Sequence, residues 1–76
     1  MKLEFPLHFR ARLLERDISV DHIKLAISTP DLTEKMFEGR VRVTKKIGEK
    51  CIRVVYYRKS LQGDAGKYVI ITAYYL

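Results

Sequence analysis

Residues 40–58 read Arg40-Val41-Arg42-Val43-Thr44-Lys45-Lys46-Ile47-Gly48-Glu49-Lys50-Cys51-Ile52-Arg53-Val54-Val55-Tyr56-Tyr57-Arg58. Val41, Val43 and Ile47 alternate with Arg40, Arg42, Thr44 and Lys46. A period of two is that of a β-strand with one buried face. Lys50 to Arg58 is a β-branched and aromatic run, and Gly48-Glu49 between the two segments predicts a hairpin turn. The same stretch holds the charge. From residue 40 to 59 eight basic residues face Glu49 alone, a local charge of +7, whereas residues 1–33 carry five cations and five carboxylates. A field this dense favours a polyanion, of which RNA or DNA is the commonest in a cell. An acidic protein partner is the alternative, as is plain solvation of a sheet face that resists edge pairing.

Downstream, Leu61-Gln62-Gly63-Asp64-Ala65-Gly66 predicts a loop, and Tyr68 to Leu76 a last strand. Upstream, Thr33 to Glu38 reads as a weak strand broken by Gly39. Before Pro30 the period is helical. Pro6 suits a first helical turn, where its missing N–H has no partner to lose. Leu7, Ala11, Leu14 and Ile18 form the expected core-facing stripe, with Phe9 and Leu13 as a second apolar row. Ser19 is a good N-cap for a second helix, with Ile18 and Ile23 placed as a hydrophobic staple. Ile23, Ala26 and Ile27 give that helix its buried side, and Pro30 stops it through Thr29. The expectation is a single α+β domain over residues 1–76, with two N-terminal helices on one face of a three- or four-stranded antiparallel sheet.

Alternation assigns the faces of that sheet. Ile52, Val54 and Tyr56 oppose Cys51, Arg53, Val55 and Tyr57, while Val69, Ile71, Ala73 and Tyr75 oppose Tyr68, Ile70, Thr72 and Tyr74. Placing the apolar rows under the helices leaves Arg40, Arg42, Lys46, Arg53, Tyr57, Thr72 and Tyr74 on an open face. Guanidinium groups among tyrosines suit phosphate contacts and base stacking. Arg40, Arg42, Lys45, Lys46, Tyr57 and Arg58 are the expected nucleic-acid-binding residues.

The chain has 76 residues and a net charge of +6, with 47% apolar and 32% charged residues. It folds as one small domain and has no room for separate cofactor and substrate lobes. One cysteine, Cys51, makes no internal disulfide, and Cys51, His8 and His22 show no metal-ligand spacing, so no metal or cofactor is expected. Met1 to Phe9 holds Glu4, Pro6 and His8 where a signal peptide needs an apolar stretch, and Val69 to Leu76 is too short to span a bilayer. A cytoplasmic setting without membrane contact is expected. His8, Arg12 and Arg16 recur every four residues along one side of the first helix. His8 lies near the helix start, where the macrodipole disfavours a positive imidazole. A neutral imidazole beside arginines is what a general base for a ribose 2′-hydroxyl needs. The bland reading is a histidine on a solvated helix face; His22 is read as exposed and uninvolved.

The run His8-Phe9-Arg10-Ala11-Arg12-Leu13-Leu14-Glu15-Arg16-Asp17-Ile18-Ser19 resembles the helix motif His-x3-Arg-x3-Arg-Gly-Ile-Ser of the domain-of-unknown-function family 4258, with Asp17 where that family usually has Gly. Ile52-Arg53-Val54-Val55-Tyr56 and Val69-Ile70-Ile71-Thr72-Ala73-Tyr74 resemble its two strand signatures. That family is similar to the RelE/ParE-like toxins, with an α-α-β-β-β-β layout, metal-independent endoribonuclease or gyrase-poisoning activity, and an antitoxin partner. The resemblance implies His8, Arg12, Arg16, Arg53, Thr72 and Tyr74 as site residues. It implies RNA, free or ribosome-bound, as substrate and an acidic antitoxin as protein partner. The expectation is a toxin-like, metal-independent ribonuclease. The alternative is a non-catalytic module binding nucleic acid or protein through the same open face.

Overall fold

The computed structural model describes residues 1–59 and 66–76. The elements are β1 (Lys2–Glu4), α1 (Leu7–Glu15), α2 (Val20–Ser28), β2 (Leu32–Lys35), a 3-10 turn (Phe37–Gly39), β3 (Arg40–Ile47), β4 (Lys50–Lys59) and β5 (Lys67–Tyr75). They build an α+β fold around one sheet of strand order β1-β5-β4-β3-β2. The pairs β2–β3, β3–β4 and β4–β5 are antiparallel, but β1 joins β5 in parallel, with Lys2 opposite Lys67 and Glu4 opposite Val69. The sheet is therefore mixed and five-stranded, where three or four antiparallel strands were expected. Three residues are too few for alternation to show, so β1 is defined by its partner and not by its own pattern. β2 ends at Lys35 and not at Glu38, because Glu38 and Gly39 both take left-handed backbone angles, φ 61° and 73°. The loop expected over residues 61–66 lies outside the described residues, except for Gly66.

The hairpin forms where the sequence puts it. Ile47 pairs with Lys50, and Gly48 at φ 63° is the only left-handed residue of the two-residue turn. That is the type II′ pattern, which matches the twist of the flanking strands.

Helix α1 is turned the opposite way from the expectation. Phe9 is fully buried and Leu13 packs against the core, whereas Leu7, Ala11 and Leu14 face solvent. The helix ends in a Schellman motif. Ile18 N–H donates to Leu13 C=O (3.1 Å) and Asp17 N–H to Leu14 C=O (3.4 Å), with Asp17 left-handed at φ 50°. This turn places Ile18 in the core beside Leu13. Helix α2 follows the sequence reading closely: Ser19 Oγ accepts from His22 N–H (3.3 Å), and Ile18 and Ile23 are both buried.

Helix α2 lies across β3 and β4, and α1 lies against β5. Their apolar residues meet Val43, Ile52, Val54, Tyr56, Ile70 and Ala73 to form the core. In β5 strict alternation fails. Val55 pairs with Thr72 but Tyr56 pairs with Ile70, so Ile71 is the extra residue of a β-bulge. The bulge moves Tyr68 and Ile70 to the helix side and Val69 to the other, while Thr72 and Tyr74 keep the side that alternation gives them.

Candidate nucleic-acid interface

Register sorts the uncovered face into rows of side chains that cross the strands. One row is Lys46 and Cys51; the next is Leu32, Thr44, Arg53 and Tyr74. Glu34, Arg42, Val55 and Thr72 follow, and then Arg40, Tyr57, Val69 and Glu4. Successive rows lie about 6.6 Å apart, two strand residues. Neither helix lies over this face, yet Val55 and Val69 are buried in it. The stems of long side chains cover such residues while their heads stay in water. The surface has an apolar floor with cations and phenols around it.

Its cations are not equivalent. Arg42 donates from Nε and Nη2 to both carboxylate oxygens of Glu34, at 3.1 and 2.7 Å. The forked bond to Arg42 holds the Glu34 carboxyl below its usual range, with a smaller pull from the Arg53 charge, and Glu34 in turn pushes the Arg42 guanidinium further up. Arg53 Nε donates to Thr44 Oγ1 at 3.2 Å, and its two terminal nitrogens have no partner among the described residues. Among the described residues the Arg40 side chain makes only a long, exposed contact with Glu38, at 3.9 Å. Lys46 is exposed and uses its backbone N–H, not its ammonium, to hold Asp31 Oδ2 at 2.8 Å. Arg53, Arg40 and Lys46 are thus the cations most available to an anion here.

Two expected binding residues lie on the other side of the sheet. Lys45 is opposite Ile52, with its ammonium 3.5 Å from Asp31 Oδ1, and Arg58 lies over the Tyr68 ring at 5.3 Å. Strand parity separates both from Arg42 and Arg53. A row the sequence reading missed closes the open face at its far end: Lys59, Lys67 and Lys2 stand directly opposite one another in β4, β5 and β1. The neighbour relation of β1 to β5 was needed to see it.

The implied catalytic set is divided by the sheet. Arg53, Thr72 and Tyr74 share the open face, with Arg53 directly opposite Tyr74. His8 and Arg12 are exposed on α1, which packs on the helix side through Phe9. Arg16 reaches the boundary. Leu76 N–H bonds Cys51 C=O at 2.8 Å, so ladder alternation turns the Ala73 carbonyl away from β4, and Arg16 Nη1 donates to it at 3.3 Å. Glu15 forms no ion pair with this row among the described residues.

His22 is half-buried and involved, contrary to the sequence reading. Its Nδ1 lies 2.8 Å from the Tyr75 hydroxyl, which also accepts from Ser19 N–H at 3.2 Å. Tyr75 so closes the α2 cap from a remote strand, in place of a capping-box glutamate. Among the described residues no group of three or more His, Cys, Asp or Glu is placed to hold a metal ion, and no helix is long and apolar enough to cross a membrane.

Neither a curated protein nor a solved structure matches the chain. A family model does, that of the domain of unknown function (DUF4258), and it covers residues 5–75. With nearly the whole chain matched, from the residue after β1 to the end of β5, the protein belongs to the DUF4258 family.

Proposed function

We propose that the protein is a binding module for single-stranded RNA, which it engages through the open sheet face in a cytoplasmic setting. The observation that carries this reading is the interleaving of Arg40, Lys46 and Arg53 with Tyr57 and Tyr74 on one uncovered surface. Cations track a phosphate backbone and phenol rings stack bases, and a single strand offers both at once. An acidic antitoxin would compete for the same cations. The toxin-like ribonuclease remains the second reading. Its support is Arg16, which brings the α1 row to the β5 edge one residue from Tyr74.

The test is a titration of labelled single-stranded RNA at several salt concentrations with EDTA present. Each phosphate contact to a single strand contributes about 0.7 to the slope of log affinity against log salt. Three or four contacts give a slope of about −2 to −3. No binding at about 50 mM salt, where this term is strong, overturns the proposal. RNA cleavage that His8→Ala abolishes while binding persists would establish the ribonuclease instead.

A further inference from the structure

The row that closes the open face at its far end consists of like charges. Lys59 stands opposite Lys67 across β4 and β5, and Lys2 stands opposite Lys67 across β5 and β1. Like charges directly opposite one another destabilise a sheet. Among the described residues Lys59 and Lys67 form no ion pair, and neither does Glu4, the carboxylate of the neighbouring row. An anion laid across the row turns that repulsion into attraction.

Position decides what kind of anion. Arg53 and Lys59 lie about 20 Å apart along β4, further than one phosphate or one mononucleotide reaches. Between them the row of Val55 and Thr72 is electrically quiet, because Glu34 neutralises Arg42. Available cations stand in the rows on either side of it: Lys46 and Arg53 towards one end, Arg40 and the lysines towards the other. Two strand residues and one nucleotide contain the same number of backbone bonds, so an extended single strand repeats its charge at about the row spacing. Tyr74 and Tyr57 flank the quiet row, opposite Arg53 and Arg40, where bases between the outer phosphates can stack. An acidic peptide would match the cations and leave both rings unused.

We propose that Lys59 and Lys67, extended by Lys2, are a second phosphate subsite of the open face, reached by a single strand of RNA running along β4. The subsite presupposes that the face binds RNA, and it sets the length bound. Five rows take about five phosphates, hence about six nucleotides, at the short end of the range for single-strand-binding domains.

Oligouridylates of about two to eight nucleotides, titrated at about 50 mM salt with EDTA present, test this. Affinity should rise with length to about six nucleotides and then level, apart from the statistical gain in registers. Lys59→Ala/Lys67→Ala should weaken the octamer about fivefold to tenfold and flatten its salt slope by about 0.7. A tetramer fits on the remaining rows and should lose less than about twofold. The urea midpoint of this variant should not fall, because the substitutions relieve repulsion. Equal weakening of tetramer and octamer, or of neither, overturns the subsite while RNA binding stands. So does a parent affinity that levels by about four nucleotides. Absence of binding at every length overturns the RNA reading and the subsite with it. An oligoglutamate of equal charge that binds as tightly as the octamer assigns the row to an acidic protein and overturns the proposal.

Discussion

The two sides of β4 are built from neighbouring residues and do different work. Ile52, Val54 and Tyr56 meet the helices and are buried, whereas Arg53 and Tyr57, one position along, reach an uncovered surface. Period-two geometry lets one strand carry a stabilising row and a recognition row at once. The lesson is that stability and binding should be separable by parity: substitutions on one side should move unfolding, and those on the other should move affinity and its salt dependence.

The sharpest way to break that separation is a pair of adjacent alanines. Ile52→Ala removes a fully buried side chain and should cost about 2–5 kcal/mol, while Arg53→Ala should stay within about 0.5 kcal/mol. Urea unfolding of the two variants decides it, and equal losses would sink the comparison. A second pair sits at the end of β5. Tyr75→Phe strips Ser19 N–H and His22 Nδ1 of their shared partner, with an expected loss of about 1–2 kcal/mol by thermal or urea unfolding. Tyr74→Phe, on the open side, should leave the midpoint in place.

Affinity should show the mirror image. Arg53→Ala is expected to weaken RNA binding about fivefold to tenfold and to flatten the salt slope by about 0.7. Arg58→Ala, on the helix side, should leave the slope alone; a flattening there would move the interface across the sheet. A smaller effect tests the α1 turn. Asp17 occupies a left-handed position that glycine takes without a Cβ penalty, so Asp17→Gly should raise stability by about 0.5–1 kcal/mol in the same urea assay.

The finest probe is Glu34→Gln. It releases Arg42 on the open face, and the salt slope should steepen by about 0.7 at neutral pH. The same variant has a pH signature. Glu34 is held below its ordinary 4.5 chiefly by Arg42, and Asp31 below its ordinary 3.8 chiefly by the Lys46 backbone N–H. Groups depressed in the folded state stabilise fully above those ordinary values, and the contribution is lost as pH falls through the lowered ones. Acid unfolding curves below pH 4.5 should therefore be shallower for Glu34→Gln than for the parent chain. Identical acid limbs would mean that the forked pair does not persist in solution.

What the sequence determined by itself was local. The hairpin at Gly48-Glu49, the Ser19 cap with its Ile18–Ile23 staple, the stop at Pro30 and the faces of β3 and β4 all follow from residue type and spacing over a few positions. Backbone sterics, cap hydrogen bonds and the pleat act at that range. The tertiary structure decided wherever two local solutions were equally good. α1 carries two apolar rows, and nothing in the helix says which one faces the sheet; the Schellman turn through Asp17 and the position of β5 select Phe9 and Leu13. Alternation predicted continuous faces in β5, but the bulge at Ile71 arises from pairing with β4 and not from the β5 sequence. β1 exists because β5 offers it an edge, and only that pairing assembles the row of Lys2, Lys59 and Lys67. Arg42 counted as a free cation until the β2–β3 register set Glu34 opposite it, because the charge a side chain presents depends on what the fold places within a few ångströms of it.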